Sequence, residues 1–467
     1  MGSVSQVDVR TYVPASGAAT GYVSFLRSIN TGTVSTPVYV ARVDGSTGLV
    51  GSFGVLSSGL PAGAAVTFSA QQVESALGTS LLASDRPRMR LVGALSSVEA
   101  QSFMLQPGGL FDEVSGAQTG ATVTVRTYIP AADAPTGYTS YIRVINPSTT
   151  VTTVAVALID GATGAAGTSR TLIASMPAQA AQTFSSAQIE ALIGAVPAGS
   201  RSRLRISSPT PLEVQSFLTQ PGGAFTNISS GVVASAPQVD VRTYVPAASA
   251  ATGYVSYLRV INTGTLTTPV SVARIDGNTG VVGTASTGNL TPLLSPDAAV
   301  TFTAQQVEVA LGGSPLSASD RPRLRVFGNG TALEVQSFLL QPGGLFDEVS
   351  AAELGSTILV RSYIPAADAP TGYTSYIRVI NPGTTATPVS IALVNGDTGI
   401  MGATATLFST LPGGAAQTLS STQIESLIGT VPAGTRPRLR ISGNVPLEVQ
   451  SFITQPGGAF TIISNGQ

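Results

Sequence analysis

Apolar and polar positions alternate in short runs along the first quarter of the chain, near 7–13, 21–29, 36–43, 64–68, 88–92, 98–105 and 110–114. The runs are rich in Val, Thr, Tyr and Phe, residues that fit a half-buried pleated surface, so each predicts a β-strand. Turn residues separate them: Thr31-Gly32, Asp44-Gly45-Ser46-Thr47-Gly48, Gly93 and Pro107-Gly108-Gly109. Asp-Gly supplies the positive-φ residue that a tight turn needs. One stretch has a different period. Ser69 followed by Gln72, with Gly78 at the end, reads as a capping box and a glycine stop around one short helix. The predicted core comprises Val9, Leu26, Val38, Val40, Phe68, Val73, Leu91 and Phe103. Seven short strands in such a stretch predict an immunoglobulin-like sandwich by pattern, without the Cys and Trp of antibody domains.

The same grammar returns three more times. Val-Arg-Thr/Ser-Tyr-Val/Ile-Pro places its Arg at Arg10, Arg126, Arg242 and Arg361, at offsets of 116, 116 and 119 residues. That is a domain-sized period, longer than the 20–50 residues of a solenoid. Each copy closes with Gln-Ser-Phe-x-x-Gln-Pro-Gly-Gly, starting at Gln101, Gln215, Gln336 and Gln450. Copies one and three end Leu-Phe-Asp-Glu-Val-Ser, whereas copies two and four end Ala-Phe-Thr at Phe225 and Phe460. The expected architecture is therefore all-β: four tandem sandwiches in A-B-A-B order, spanning 1–118, 119–234, 235–353 and 354–467, each with one short capped helix. Linkers near 115–121, 230–237 and 350–356 are too short for free swinging.

Composition narrows the chemistry. All 23 basic residues among the 467 are Arg, and the chain has no Lys, His, Cys or Trp. This excludes Ser-His-Asp and Cys-His nucleophiles, the usual zinc sites, P-loops, Schiff bases and disulfides. A net charge of −1 argues against a nucleic-acid partner. The apolar residues are spread in strand-length pieces, with no run of 18 to span a membrane. Met1 to Gln6 has neither a basic nor an apolar signal-peptide region. Glycosidase chemistry, needing only two carboxylates, survives this test. However, Glu74 and Glu99 are the only acids with counterparts in every copy, and no insertion forms a cleft. The expectation is no enzyme, no catalytic residue, no metal and no cofactor.

Two patterns offer binding chemistry. The first is a triple Arg, Arg86-Pro87-Arg88-Met89-Arg90, with counterparts at 201/203/205, 321/323/325 and 436/438/440. Alternation puts all three on one strand face, about 7 Å apart, able to hold an anionic glycan, a lipid phosphate or a partner's carboxylates. The plainer expectation pairs the last Arg with Glu99 of the next strand in a hairpin register. The second pattern is an Arg/aromatic stripe: Arg10, Tyr12, Phe25 and Arg27, then Arg126, Tyr128, Tyr141 and Arg143, then Arg242, Tyr244, Tyr257 and Arg259, then Arg361, Tyr363, Tyr376 and Arg378. Such a face suits sugar stacking or protein docking, or ordinary packing under a neighbouring domain. Asp44-Gly45-Ser46-Thr47-Gly48 echoes a calcium loop but reads better as a turn, and Asp112-Glu113 reads as a solvated strand end.

These observations favour a structural protein, extracellular or at the cell surface, that assembles with itself into a filament, surface layer or sheath. The last copy ends in phase with the first, so a head-to-tail contact is expected to run on into a following subunit. An adhesin using the Arg/aromatic face, with a cell-surface glycan as partner, is the alternative, and a phage or particle fibre subunit a third reading. The tandem array resembles bacterial surface and appendage proteins in architecture, and no motif carries a residue role over.

Overall fold

The structure, a computed structural model, describes residues 5–82, 87–200, 202–229, 233–313, 315–317, 322–435, 437–456 and 458–464. In the first repeat the strands are β1 (Ser5–Val9), β2 (Val23–Asn30), β3 (Thr36–Val43), β4 (Val50–Leu60) and β5 (Ala65–Ser69), followed by helix α1 (Ala70–Leu77). β6 (Arg88–Gly93), β7 (Val98–Leu105) and β8 (Phe111–Glu113) complete it. They form two antiparallel sheets ordered β1-β6-β3-β4 and β5-β2-β7-β8. Val9, Val38, Val40, Met89 and Leu91 from one sheet meet Leu26, Phe68, Val98 and Ala100 from the other in one core. Two pairings match the immunoglobulin scheme, β6 with β3 and β2 with β5. The others depart from it, because β7 joins β2 instead of lying beside β6.

β4 lies outside the strands read from the sequence. Its residues, Val-Gly-Ser-Phe-Gly-Val-Leu-Ser-Ser-Gly-Leu, carry little alternation because this edge strand buries only Leu60 completely. The first run is also shorter than expected. The sheet ends at Val9, and Arg10 to Pro14 leave it.

The B repeats join the two sheets. In repeat two a single strand, Arg203–Thr219, replaces the counterparts of β6 and β7, and the first strand, Gln118–Val125, pairs along both of its halves. Pro209 and Pro211 favour extended backbone where the first repeat turns at Gly93. Repeat four repeats this with Arg438–Thr454 and Glu353–Val360.

All four predicted helices form. Ser69, Ser185, Thr303 and Ser420 each accept a hydrogen bond from the backbone N–H three residues on, while the Gln there reaches back to the cap. The buried apolar residues fall into four separate cores, one per repeat, and further apolar clusters lie where repeats meet. Of the expected core residues, Phe103 belongs to one of these meeting points, packed with Ile453 and Ile463 of repeat four. The fourth repeat thus packs on the first. The molecule is a closed ring of four repeats, and the head-to-tail series expected to run on into another subunit returns to its own start.

Candidate functional site: the interfaces between repeats

One set of contacts holds each repeat to the next. Arg10 Nε donates to Glu213 Oε2 at 3.0 Å, and Thr11 Oγ1 to Gln215 Oε1 at 2.9 Å. Arg126 and Thr127 meet Glu334 and Gln336, Arg242 and Thr243 meet Glu448 and Gln450, and Arg361 and Ser362 meet Glu99 and Gln101. The repeated Glu is therefore taken by the preceding repeat's Arg. This corrects the hairpin expectation: Arg90 lies opposite Asp8, to which it donates at 2.7 and 2.8 Å, while Glu99 lies opposite Ile29.

The closing motif completes the clamp. Tyr22, Tyr138, Tyr254 and Tyr373 donate their hydroxyls to the second Gly carbonyl of Pro-Gly-Gly in the next repeat: Gly223, Gly344, Gly458 and Gly109. The last Gln of the motif grips neighbouring backbone with both ends of its amide, Gln106 on Phe225, Gln220 on Phe346 and Gln455 on Phe111.

A third contact uses the Asp-Gly turn. The Asp44 carboxylate accepts from Ser46 N, Thr47 N and the Thr47 hydroxyl, an Asx-type turn that spends the oxygen a cation would need. The same bonds form at Asp160, Asp276 and Asn395. The turn is then docked: Gly45 O accepts from Ala181 N, Gly161 O from Ala299 N, Gly277 O from Ala416 N, and Gly396 O from Ala65 N. A methyl group on the final Gly of the turn, Gly48, would overlap the Ala178 carbonyl oxygen of the next repeat.

The Arg/aromatic stripe divides between core and interface. Tyr12, Tyr128, Tyr244 and Tyr363 are buried, each bonding a buried or half-buried helical Glu (Glu74, Glu190, Glu308, Glu425) that also accepts a backbone N–H from the segment after the Tyr. Burial and the neighbouring carboxylate push these phenols above their ordinary range. Phe25, Tyr257 and Tyr376 pack in the clusters between repeats. Arg27, Arg143, Arg259 and Arg378 are buried on the same faces, donating to Thr67, Thr183, Thr301 and Thr418. Arg259 Nε also reaches the Arg126 carbonyl of the preceding repeat. Open clefts remain beside them. One of about 460 Å³ between repeats one and two is lined by Tyr22, Tyr141, Arg143, Phe217 and Phe225.

Of the triple Arg, Arg86 and its counterparts 201, 321 and 436 lie outside the described residues. Arg88 is fully buried and gives its Nη1 to the Gln179 carbonyl of repeat two, and Arg90 gives Nη2 to the Gln179 side chain. Among the described residues Gln179 and Asp297 are the two non-glycine residues with positive φ, at 60° and 58°. Each holds this disfavoured backbone while meeting an Arg pair of the preceding repeat, Asp297 taking Arg203 through its carbonyl and Arg205 at 3.3 Å. Sequence reading passed over both residues; the only signal was their alignment with Gly63 and Gly414.

Asp112-Glu113 is not a solvated strand end. Asp112 and Asp347 are buried where all four repeats converge, alternating with Thr226 and Thr461 of the B repeats. Thr461 Oγ1 lies 3.0 Å from Asp347 Oδ2 and 3.4 Å from Asp112 Oδ1, and Thr226 Oγ1 lies 3.2 Å from Asp347 Oδ1. Burial drives the Asp112 carboxyl well above its usual range, with the Asp347 charge adding to it, and burial pushes Asp347 up to about 6. Next to it, buried Glu348 is pushed up to about 8. Among the described residues no group of three carboxylates stands in metal-binding array, and no helix is long and apolar enough to cross a membrane.

No protein-family model and no curated protein sequence matches the chain. Among solved structures, the Anabaena sensory rhodopsin transducer aligns with 21% of this chain and 85% of its own, at 21% identity and a TM-score of 0.17. The surface glycan-binding protein PbSGBP-B from Prevotella bryantii aligns with 54% of this chain and 84% of its own, at 8% identity and TM-score 0.14. The pilus backbone RrgB from Streptococcus pneumoniae aligns with 50% and 72%, at 11% identity and TM-score 0.11. Scores this low define neither fold nor function.

Proposed function

We propose that this chain is a non-enzymatic structural subunit of an extracellular assembly, a filament, surface layer or sheath, whose building block is the four-repeat ring. The observation that carries this reading is the employment of the repeated chemistry. The repeated Arg, Glu, Gln and Tyr side chains either tie repeat to repeat or tie helix to sandwich, so the repeated grammar of the chain is spent on making one rigid body. Contacts to further copies then fall to the outer edge strands. Among the described residues β4 has β3 on one side and no strand on the other, and its Phe53 and Val55 are about half exposed. Leu293 and Met401 are exposed on the corresponding strands of repeats three and four. Apolar edge residues favour edge-to-edge pairing, and a charged content of 10% weakens the self-repulsion that would oppose it. Negative-stain microscopy of the concentrated protein should show ordered arrays of ring-sized units, lost when Phe53→Lys and Val55→Lys place charge on the edge. Rings that stay single at every concentration and ionic strength tested count against this function.

The cleft between repeats one and two favours a second reading, glycan binding. It combines Tyr141 and Phe217 with Arg143, flat apolar faces beside a hydrogen-bond donor. Glycan-array binding that disappears in Tyr141→Ala supports this reading, and silence of the wild-type chain on neutral and acidic glycans removes it.

A further inference from the structure

Four buried arginines, Arg88, Arg203, Arg323 and Arg438, occupy equivalent places, and each is followed two residues on by a second, partly exposed Arg. An acceptor reaches three of these pairs from one of two directions. Asp8 and Asp240 come from the first strand of the same repeat, to Arg90 and Arg325. Gln179 and Asp297 come from the next repeat, to Arg90 and Arg205. The pair at the junction of repeats four and one has neither. Leu359 stands opposite Arg440 in the strand register, where repeats one and three have Asp, and Gly63 stands where Gln179 and Asp297 do. Among the described residues Arg440 bonds the Met401 sulfur, at 3.4 Å, and no carboxylate.

Arg438 is 1% exposed, yet its Nε and Nη2 have no hydrogen-bond partner among the described residues. It lines a cavity of about 440 Å³ together with Thr31, Glu99, Glu353, Thr357 and Arg361. The two acids there do not fill its fork. Glu99 is held by Arg361 Nε at 3.0 Å, and Glu353 lies 3.7 Å from Arg361 Nη1, which makes no hydrogen bond of its own. Burial pushes the Glu353 carboxyl up to about 7, so near neutral pH much of it is uncharged. A buried guanidinium without an acceptor loses the full solvation of its donors, and a planar oxyanion restores two parallel bonds at once.

We propose that the junction of repeats four and one is a binding site for a small oxyanion, a carboxylate or phosphate group, held by the Arg438 fork with Arg361 beside it. Arg323 Nε and Nη2 are also without a partner among the described residues, but its Nη1 is taken by the Gly414 carbonyl, and it is Arg438 that opens on this cavity. The site lies apart from the outer strands, so it stands whether or not the ring assembles.

Isothermal titration of the full chain with inorganic phosphate, acetate and glucuronate, at constant ionic strength set by chloride, tests it. At least one probe should saturate with a stoichiometry near one, and Arg438→Gln should weaken that binding about tenfold or more. Saturation by phosphate alone assigns a phosphate group; saturation by acetate or glucuronate assigns a carboxylate. Leu359 lines the cavity, so Leu359→Asp places a carboxylate on its wall opposite Arg440, as Asp8 stands opposite Arg90 in repeat one, and its charge should weaken binding about tenfold or more while leaving the fold intact. The absence of saturable binding by any probe, or binding that persists unchanged in Leu359→Asp, overturns the proposal.

Discussion

At the residue scale, the most unusual feature is the acid at the centre of the ring. Asp112 and Asp347 converge with two threonines away from water, and Glu348 next in sequence is buried as well. Their folded pKa values lie above the unfolded values near 4, so the folded ring holds protons that the unfolded chain releases. Stability is therefore fully present below about pH 4 from this source and falls as pH rises through the window from 4 to about 8. The turn aspartates act in the opposite sense. Backbone and hydroxyl donors within the turn hold Asp44, Asp160 and Asp276 below their usual range, so their contribution fades in acid. The net expectation is greatest stability in mild acid. Chemical denaturation followed from pH 5 to pH 8.5 should show a loss of at least about 1 kcal/mol. Asp112→Thr, which copies Thr226 of the neighbouring repeat, should flatten that slope. A stability that climbs steadily from pH 5 to pH 8.5 would mean that the central carboxyls are ionised without penalty.

At the scale of elements, the docked turn and the helix tether can each be broken by one atom or one charge. Gly48 has φ near +74° and faces the Ala178 carbonyl, so Gly48→Ala meets both a strained backbone and a neighbouring repeat. It should destabilise by roughly 2–4 kcal/mol. The companion Gly78→Ala, at φ +68° but with nothing within 4 Å of the added carbon, should lose only about 1 kcal/mol from the backbone alone. Comparing the two melting curves separates turn docking from glycine conformation. Glu74→Ala should be comparably severe, because Ala15 N and Leu81 N then lose their acceptor in a buried site, while Glu74→Gln should keep part of it. These elements differ in how plainly the sequence announced them. The helix was legible because Ser69, Gln72 and Gly78 form a local code that needs no partner. Most strands were legible because one face of each is buried. β4 was not, since an edge strand with mostly exposed side chains leaves no period to read. The interfaces were half legible: Arg10, Tyr12, Phe25 and Arg27 stood out as a pattern, but whether Glu99 serves its own hairpin or another repeat depends on ring geometry. Gln179 and Asp297 escaped notice, because their one mark in the sequence is that they stand where the other two repeats have Gly63 and Gly414.

At the scale of the whole molecule, ring closure makes a quantitative demand on the duplicated sequence. The junction of repeats two and three is built from Arg126, Thr127, Glu334 and Gln336, and the junction of four and one from Arg361, Ser362, Glu99 and Gln101. These sets are near-equivalent in chemistry, so repeat one presents to repeat four much the surface that repeat three presents to repeat two. A chain cut after residue 234 keeps repeats one and two with their cores and the junction between them. It exposes Arg126 at one end and Glu99 at the other, and in a second copy the same two surfaces face the opposite way. Two such half-chains should therefore close into a two-fold symmetric ring, since a head-to-tail contact whose rotation closes gives a ring instead of a fibre. Light scattering coupled to size exclusion should report a particle of about the full-chain mass, 47.1 kDa, made of two half-chains. Arg126→Ala should dissociate it by removing one charged partner from both new junctions, with a larger effect than the same change in the intact chain, where covalent linkage keeps the neighbouring repeats at high effective concentration. A half-chain that remains monomeric at micromolar concentration would show that the linkers, and not the junction chemistry, hold the ring closed. Open-ended oligomers of growing size would show that the rotation per repeat is not set by the junctions themselves.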